Sequence, residues 1–548
     1  MSASETDCLS RVSLDAEFPA SFRRAPKIDR AAERCRRTGA AVADSDLEGS
    51  DNAMERTVAV RSKQIIETGV ASLDLLLGGG IPARQSVVVT GDPGSGKTVL
   101  CSQIAFAQAA RGKRVVIATV ASESQDKLLE ELEGFSFYEA DRVGDEIYLV
   151  SIYPALQRGP KEAKDLLLKA MRDRNASMLF VDGLRSLRDL WQNEAKLRDF
   201  LYEVNVGLAQ QGAIGLFTTE YRVEKLMEFP EATTVDGIIS LAARRVGGRV
   251  VRRAQVVKLR GRAHLTSDHL MHITSNGIHM VPRIEETTEA AETFTPTEER
   301  AELGIPLLDA MLHGGLPSKS TTLIAGSTGV GKTLMALSFV ASGARKDEPG
   351  LLISYTEPVE RLVARAKRVA LDVTPLLKAG TLSIEYRSAV NAEADDLVEH
   401  MLHRVRETGA RRVVLDGVGD LDHSVLERER LRPVLTALLV QLRRLGVTAI
   451  FAKEMSKIAG PDLDFGDTPI SVTAENLIFL RHIEWQGRLL RILSILKMRE
   501  SGFDPCVRQF EITDRGIKLM DSVPMAEGQL TGTARAMRAH PPQDGAGA

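Results

Sequence analysis

The chain has 548 residues, long enough for two domains, and its 43% hydrophobic content is that of a folded soluble protein. A net charge of −3 and an aromatic content of 5% weigh against a nucleic-acid surface. No apolar run reaches the roughly 18 residues of a membrane helix, and the N-terminus lacks a signal-like apolar stretch. The cysteines Cys8, Cys35, Cys101 and Cys506 are scattered without a C-x-x-C pair, which reads as reduced thiols and makes the cytoplasm the expected location.

Residues 1–60 are rich in Ser, Ala, Asp, Glu and Arg and lack hydrophobic periodicity, the composition of a disordered arm. The first domain is expected over 61–283. In it Ser86-Val87-Val88-Val89-Thr90 reads as a buried strand and Val99 to Ala105 as a helix. Between them stands Gly91-Asp92-Pro93-Gly94-Ser95-Gly96-Lys97-Thr98, a match to the phosphate-loop pattern G-x-x-x-x-G-K-[ST]. Glycines let successive backbone N–H groups turn toward a phosphate, and the helix N-terminus adds a fixed positive dipole. Lys97 would reach the β- and γ-phosphates, and the Thr98 hydroxyl would ligate Mg²⁺.

Val115 to Thr119 reads as the next strand, with Glu123 just beyond it and a helix carrying Leu128, Leu129 and Leu132. Met178-Leu179-Phe180-Val181-Asp182 is a further apolar strand ending in a carboxylate, the form of a Walker B magnesium site. Buried strands alternating with amphipathic helices predict an α/β fold with a mostly parallel, doubly wound sheet. Gly91, Glu123 and Asp182 would then gather at one edge of it.

Residues 284–299 are acidic and without apolar pattern, and read as a linker. The second domain, expected over 300–523, repeats the first. Gly326-Ser327-Thr328-Gly329-Val330-Gly331-Lys332-Thr333 is a second phosphate loop, its lysine about 235 residues after the first, one domain length. Leu77-Gly78-Gly79-Gly80-Ile81-Pro82 is answered by Leu312-His313-Gly314-Gly315-Leu316-Pro317, and Phe217-Thr218-Thr219-Glu220 by Phe451-Ala452-Lys453-Glu454. Val257-Lys258-Leu259-Arg260 is answered by Leu496-Lys497-Met498-Arg499, and Asp182 by Asp416 at the end of Arg412-Val413-Val414-Leu415. Matching landmarks in one order define a tandem duplication. Residues 524–548, rich in Gly, Pro and Ala, read as a flexible tail.

These motifs resemble the KaiC-type ATPases of the RecA superfamily in their double-domain form, over about 61–523. The most specific stretches are Lys258-Leu259-Arg260-Gly261-Arg262-Ala263-His264 with Ile273-Thr274-Ser275-Asn276-Gly277-Ile278, and Lys497-Met498-Arg499-Glu500-Ser501 with Phe510 to Ile517. The resemblance implies two RecA-like P-loop domains in a homo-oligomer, a hexamer in that family, with ATP and Mg²⁺ at subunit interfaces. The K-x-R cations would then act on a neighbour's γ-phosphate, as an arginine finger does. The implied nucleotide set is Gly91, Pro93, Gly94, Ser95, Gly96, Lys97, Thr98, Val99, Lys258, Leu259, Arg260 and His264 in the first domain. In the second it is Gly326, Thr328, Gly329, Val330, Gly331, Lys332, Thr333, Leu334, Arg491, Lys497, Met498 and Arg499. Thr98, Asp182, Thr333 and Asp416 would hold the metal.

The sequence also departs from that family. Where it carries two adjacent glutamates, this chain has Ser122-Glu123 and Thr356-Glu357, so Glu123 and Glu357 are the remaining catalytic carboxylates. The family's Ser-Thr phosphoacceptor pair becomes Ser471-Val472, with Thr473 beyond, leaving Ser471 and Thr473 as acceptors for an autokinase; Ser471 otherwise reads as a strand hydroxyl near the nucleotide edge. Phe503 stands where a histidine is expected. A KaiB-like partner follows from the resemblance, whereas the short tail after Ser522 weakens the case for a KaiA-like activator. Three functions stay open: an ATPase with Ser/Thr autokinase activity in bacterial signalling or timekeeping, a nucleotide-gated scaffold with little turnover, and a DNA-dependent RecA-family ATPase.

Overall fold

The computed structural model describes residues 64–120, 125–246, 248–289, 297–455, 470–485 and 487–520, with two-residue strands at Ala526–Glu527 and Arg535–Ala536. The arm at 1–60, Glu123, the side chain of Ser471 and most of the tail lie outside the described residues.

The first sheet takes its strands from β1 (Ser86–Gly91), β2 (Val115–Thr119), β3 (Ile147–Ser151), β4 (Met178–Asp182), β5 (Ile214–Thr219), β6 (Gly237–Val246), β7 (Arg249–Leu259), β8 (Asp268–Thr274) and β9 (Gly277–Val281). Their order is β9-β8-β7-β6-β1-β5-β4-β2-β3. The strands from β6 across to β3 run parallel, and β7, β8 and β9 add an antiparallel meander. The second sheet comprises β10 (Thr321–Gly326), β11 (Gly350–Ser354), β12 (Leu382–Tyr386), β13 (Arg412–Asp416), β14 (Thr448–Glu454), β15 (Asn476–Trp485), β16 (Arg488–Met498), β17 (Arg508–Thr513) and β18 (Gly516–Leu519). Its order, β18-β17-β16-β15-β10-β14-β13-β11-β12, repeats the first strand for strand. The two RecA-like domains are thus one α/β architecture used twice.

Alternation along each strand explains why both faces are covered. In β1, Val87 and Val89 face the helix α1 (Lys97–Ala110), packing with Leu100 and Ile104, while Val88 packs with Leu167 and Leu201 on the other side. All these side chains are buried. A strand apolar on both faces belongs inside a parallel sheet, because crossover helices cover both sides.

The domains meet through charge. Helix α2 (Lys332–Ala344) follows the second loop, and α3 (Ala394–Thr408) sets its acidic first turn against the first domain's meander. Glu393, just ahead of α3, takes Arg249 at 2.5 Å and Arg253 at 3.4 Å; Asp395 takes Arg253 at 3.4 Å and Arg430 at 2.7 Å. Arg430 also binds Glu285 at 2.6 Å, and Arg283 binds Glu427 at 3.2 Å. The dipole at a helix N-terminus favours these acids there even before the arginines arrive. The segment expected as a linker also enters the contact: Ile284–Thr287 is a helical turn, and Ile284 is buried in the second domain's core.

Two histidines complete the seam. His272 on β8 meets Asp396 at 2.7 Å, and His279 on β9 meets Glu399 at 3.3 Å. The bond to Asp396 holds His272 above its ordinary 6.5, with burial and Arg387 opposing it and Glu399 assisting. A raised folded-state value means that the contribution is complete below 6.5 and fades as pH rises through the folded value. Thermal unfolding of the wild type should therefore lose stability across that rise, and His272→Gln should flatten that component; identical pH profiles would disprove the link.

Candidate functional site

Each phosphate loop joins the central strand of its sheet to the helix behind it, so strand order builds the site. Gly91 and Gly326 end β1 and β10, Asp182 and Asp416 end the Walker B strands, and β5 and β14 run between them. The loop backbone explains its glycines. Gly96 and Gly331 have φ of 101° and 117°, and a side chain on either would press on Ile273 or Ile512. Gly94 and Gly329 are also left-handed but have open space where a side chain would begin.

Lys97 folds back and donates to the carbonyls of Gly91 at 3.1 Å and Asp92 at 3.0 Å. Lys332 does the same to Gly326 and Ser327, both at 2.9 Å. Both ammonium groups are buried, which lowers their pKa values. Carboxylates oppose that shift: first Glu220, then Asp182 and Asp92 at Lys97; first Glu454, then Asp416 at Lys332.

The hydroxyl beside each lysine reaches the Walker B acid. Thr98 donates to Asp182 at 3.0 Å and Thr333 to Asp416 at 2.9 Å. Burial pushes the Asp416 carboxyl up, against the Thr333 bond and the Lys332 charge. Asp182 has a further donor, the Thr218 hydroxyl, which itself accepts from the Gly183 N–H at 2.9 Å. Ala452 takes the place of Thr218 in the second domain, so Asp416 lacks that hydroxyl.

One hydroxyl and one carboxylate suit Mg²⁺, which keeps waters and phosphate oxygens as its other ligands. Among the described residues no group of three or more His, Cys, Asp or Glu is placed to hold a metal on its own. The buried Ser95 hydroxyl, in the loop itself, has no hydrogen-bond partner among the described residues. An anion in the cradle would supply an acceptor.

Of the two catalytic carboxylates expected from sequence, Glu357 lies just past β11 on the nucleotide edge. Its N–H donates to the Ser354 hydroxyl at 3.0 Å, and its carboxylate is ion-paired with Arg365. Arg491 pairs in register with His482, beyond the level of Gly326, and His482 Nδ1 lies 3.2 Å from the Ser327 hydroxyl. Burial, then Arg491 and Lys332, lower the His482 pKa.

The K-x-R motifs stand at the opposite edge. Lys258 is paired with Ile238, and Gly237 with Val87 near the start of β1. Ile238 in turn pairs with Val88, so three residues of strand, about 10 Å, separate the level of Lys258 from Gly91. Lys258 donates to the carbonyls of Ala232 at 2.8 Å and Val235 at 2.6 Å, and Arg260 to Thr233 at 3.1 Å. Lys497 donates to Ala474 at 2.6 Å, with Met498 opposite Asn476. Burial and a neighbouring arginine lower both lysines. His264 lies in the loop after β7, its Nδ1 3.4 Å from the Arg262 carbonyl.

Ser471 and Thr473 are at that same base edge. Ile470–Thr473 is a helical turn leading into β15, so the reading of Ser471 as a strand hydroxyl near its own nucleotide edge is corrected. A strand hydroxyl and one in a terminal turn look alike in so short a run. Sequence reasoning also passed over Arg365, His482, and the acids Glu220 and Glu454. The acids had a visible signal, since both close a landmark that the two halves share.

Two comparisons bear on this arrangement. A family model described as the KaiC ATPase matches residues 66–285 and again 301–523. The circadian clock protein KaiC3 of Synechocystis sp. is 25% identical over 486 residues, spanning 85% of this chain and 94% of that protein. The circadian clock oscillator protein KaiC of Thermostichus vulcanus is 24% identical over 481 residues, 85% of this chain and 91% of its own. That of Synechococcus elongatus is 23% identical over 502 residues, 89% and 94% of the two chains.

Proposed function

The chain belongs to the KaiC family of ATPases, and on that footing we propose that it binds and hydrolyses ATP at both phosphate loops as a signalling homo-oligomer. The observation that carries the reading is the doubled pair behind the loops, Thr98 with Asp182 and Thr333 with Asp416. In this reading Lys97 and Lys332 turn from backbone carbonyls to the β- and γ-phosphates. Backbone N–H groups at the start of α1 and α2, which have no intrahelical partner, receive phosphate oxygens. Thr98, Asp182, Thr333 and Asp416 hold Mg²⁺, which when bound neutralises phosphate charge during transfer. Glu123 and Glu357 orient the attacking water.

The base-edge position of Lys258, Arg260, Lys497 and Arg499 favours action on ATP held by a neighbouring subunit. A hexameric ring is the assembly that the family suggests, with a KaiB-like protein as partner. No helix among the described residues is long and apolar enough to cross a membrane.

The same base edge supports a second reading, a single-site autokinase. Ser471 and Thr473 lie beside the carbonyl of Ala474 that Lys497 holds, away from their own loop, so phosphate would come from another subunit's ATP.

The test is Mg-ATP turnover beside intact-mass measurement of the purified protein. Asp182→Asn and Asp416→Asn should each remove the turnover of one domain, by about a hundredfold or more, and raise the magnesium needed by the remaining activity of that domain. An added mass of about 80 Da that disappears in Ser471→Ala identifies the autokinase. Tight ATP binding with neither product would leave the nucleotide-gated scaffold as the function.

A further inference from the structure

We propose that each hydrolytic site has a second carboxylate from a different strand, Glu220 in the first domain and Glu454 in the second, and that this group accepts the proton of the attacking water. The inference rests on the hydrolysis reading and adds a residue to it.

Position is the first argument. Glu454 ends β14, which runs between the phosphate-loop strand and the Walker B strand, and it stands directly opposite Gly326, the first residue of the loop. Glu220 follows β5 in the same place, one residue after Thr219, the partner of Thr90. Neither acid is buried, and each is the first carboxylate acting on its loop lysine, Glu220 on Lys97 and Glu454 on Lys332. The Glu454 carboxylate accepts from the hydroxyl of Thr328, third residue of the loop. Among the described residues the ion pair of Glu220 is with Arg185, at 3.8 Å.

Chemistry is the second argument. Glu357 is ion-paired with Arg365 through Oε2, and taking up a proton would cost it that pair. A hydrogen bond from an exposed threonine leaves Glu454 with lone pairs to spare. Glu357 thus suits positioning of the water, and Glu454 suits taking its proton. Together they restore a pair of carboxylates where Thr356-Glu357 alone supplies one.

Duplication is the third. The residues before the two acids differ, Thr218-Thr219 against Ala452-Lys453, yet the acid recurs at the same distance past the Walker B level. An exposed glutamate kept only for stability contributes little.

In the step itself the water oxygen forms its bond to the γ-phosphorus as the bond from that phosphorus to the β,γ-bridging oxygen breaks. The electron pair leaves on ADP. The water proton passes to Glu454 and then to the released phosphate or to solvent, returning the carboxylate.

The experiment uses the full-length protein with the first loop silenced by Lys97→Ala, so that turnover reports the second. Glu454→Gln and Glu454→Asp are compared with that parent in steady-state kinetics across pH and in equilibrium binding of a fluorescent ATP analogue. Glu454→Gln should lower kcat about a hundredfold while binding stays within about twofold, and Glu454→Asp should recover part of the rate with a displaced pH profile. The mirrored pair, Glu220→Gln on Lys332→Ala, should behave alike. A kcat within about threefold of an active parent overturns the inference alone, as does a loss of rate and binding together, which would mark a binding or structural role. A parent that binds ATP without turnover overturns the hydrolysis reading, and the inference with it.

Discussion

Lys97→Ala and Lys332→Ala are each expected to cut the phosphate release of their own domain by about a hundred- to a thousandfold, the effect of removing one pre-placed donor to developing charge. The setting of the lysines explains why the loss should be so large. Each lysine is buried against two loop carbonyls, which costs part of its hydration before any ligand arrives. The cation is therefore already desolvated at the place where phosphate binds, and its attraction is screened little. Alanine removes the charge and one donor from each of those carbonyls, of which Asp92, Gly326 and Ser327 keep the N–H groups of Ser95, Met455 and Val330. Phosphate release and nucleotide binding, measured for the two single variants and the double, should divide the activity between the domains. A double variant that still releases phosphate at the wild-type rate would contradict the assignment of both loops.

Asp395→Ala should be the most destabilising single change at the seam between the domains, by about 3–5 kcal/mol, the scale for breaking a buried pair on one side. The Asp395 side chain is 1% exposed and bridges Arg253 and Arg430, which are 7% and 11% exposed. Burial alone would lower the Arg430 pKa, but its bonds to Asp395 and Glu285 outweigh it and hold the guanidinium above its ordinary value. Without Asp395, two buried cations share Glu393 and Glu285. Denaturation followed by separate probes of the two domains is the appropriate measurement, since a two-domain chain need not unfold in one step. Adding Arg430→Met should recover part of the loss, because an apolar replacement needs no counter-charge. An Asp395→Ala protein with wild-type denaturation would show that the network adds nothing.

What the sequence makes legible follows from the range of the forces involved. The phosphate loops are readable because a backbone wrapped around an anion requires glycine at fixed spacings, as the left-handed Gly96 and Gly331 illustrate. The Walker B acids are readable because an apolar run ending in aspartate is a local pattern, made specific by its repetition. The sheet order is readable as a class, from buried runs alternating with helices. Glu220 and Glu454 are another matter: each is visible as a shared landmark, but only strand order brings its strand beside the loop. The seam is further still from local pattern, since Arg253 and Asp395 are 142 residues apart and neither has a signature of its own. Ile284 shows the same limit, one apolar residue in an acidic segment being no periodicity at all.

The antiparallel return of β7 and β16 has a last consequence, which concerns concentration. A hairpin that carries Lys258 and Lys497 back to the base of the sheet keeps them about 10 Å of strand from their own loops. If these cations act on phosphate at all, they act on phosphate held by another copy. Catalysis then depends on how many copies meet, so specific activity should fall on dilution below the assembly range while ATP affinity of the separated chain persists. Mixing should reverse the loss from complementary defects: a chain defective at Lys97 and Lys332 can still lend its cations, and one defective at Arg260 and Arg499 can still lend its loops. Neither is active alone, and activity from the blend would identify each site as joint property of two chains.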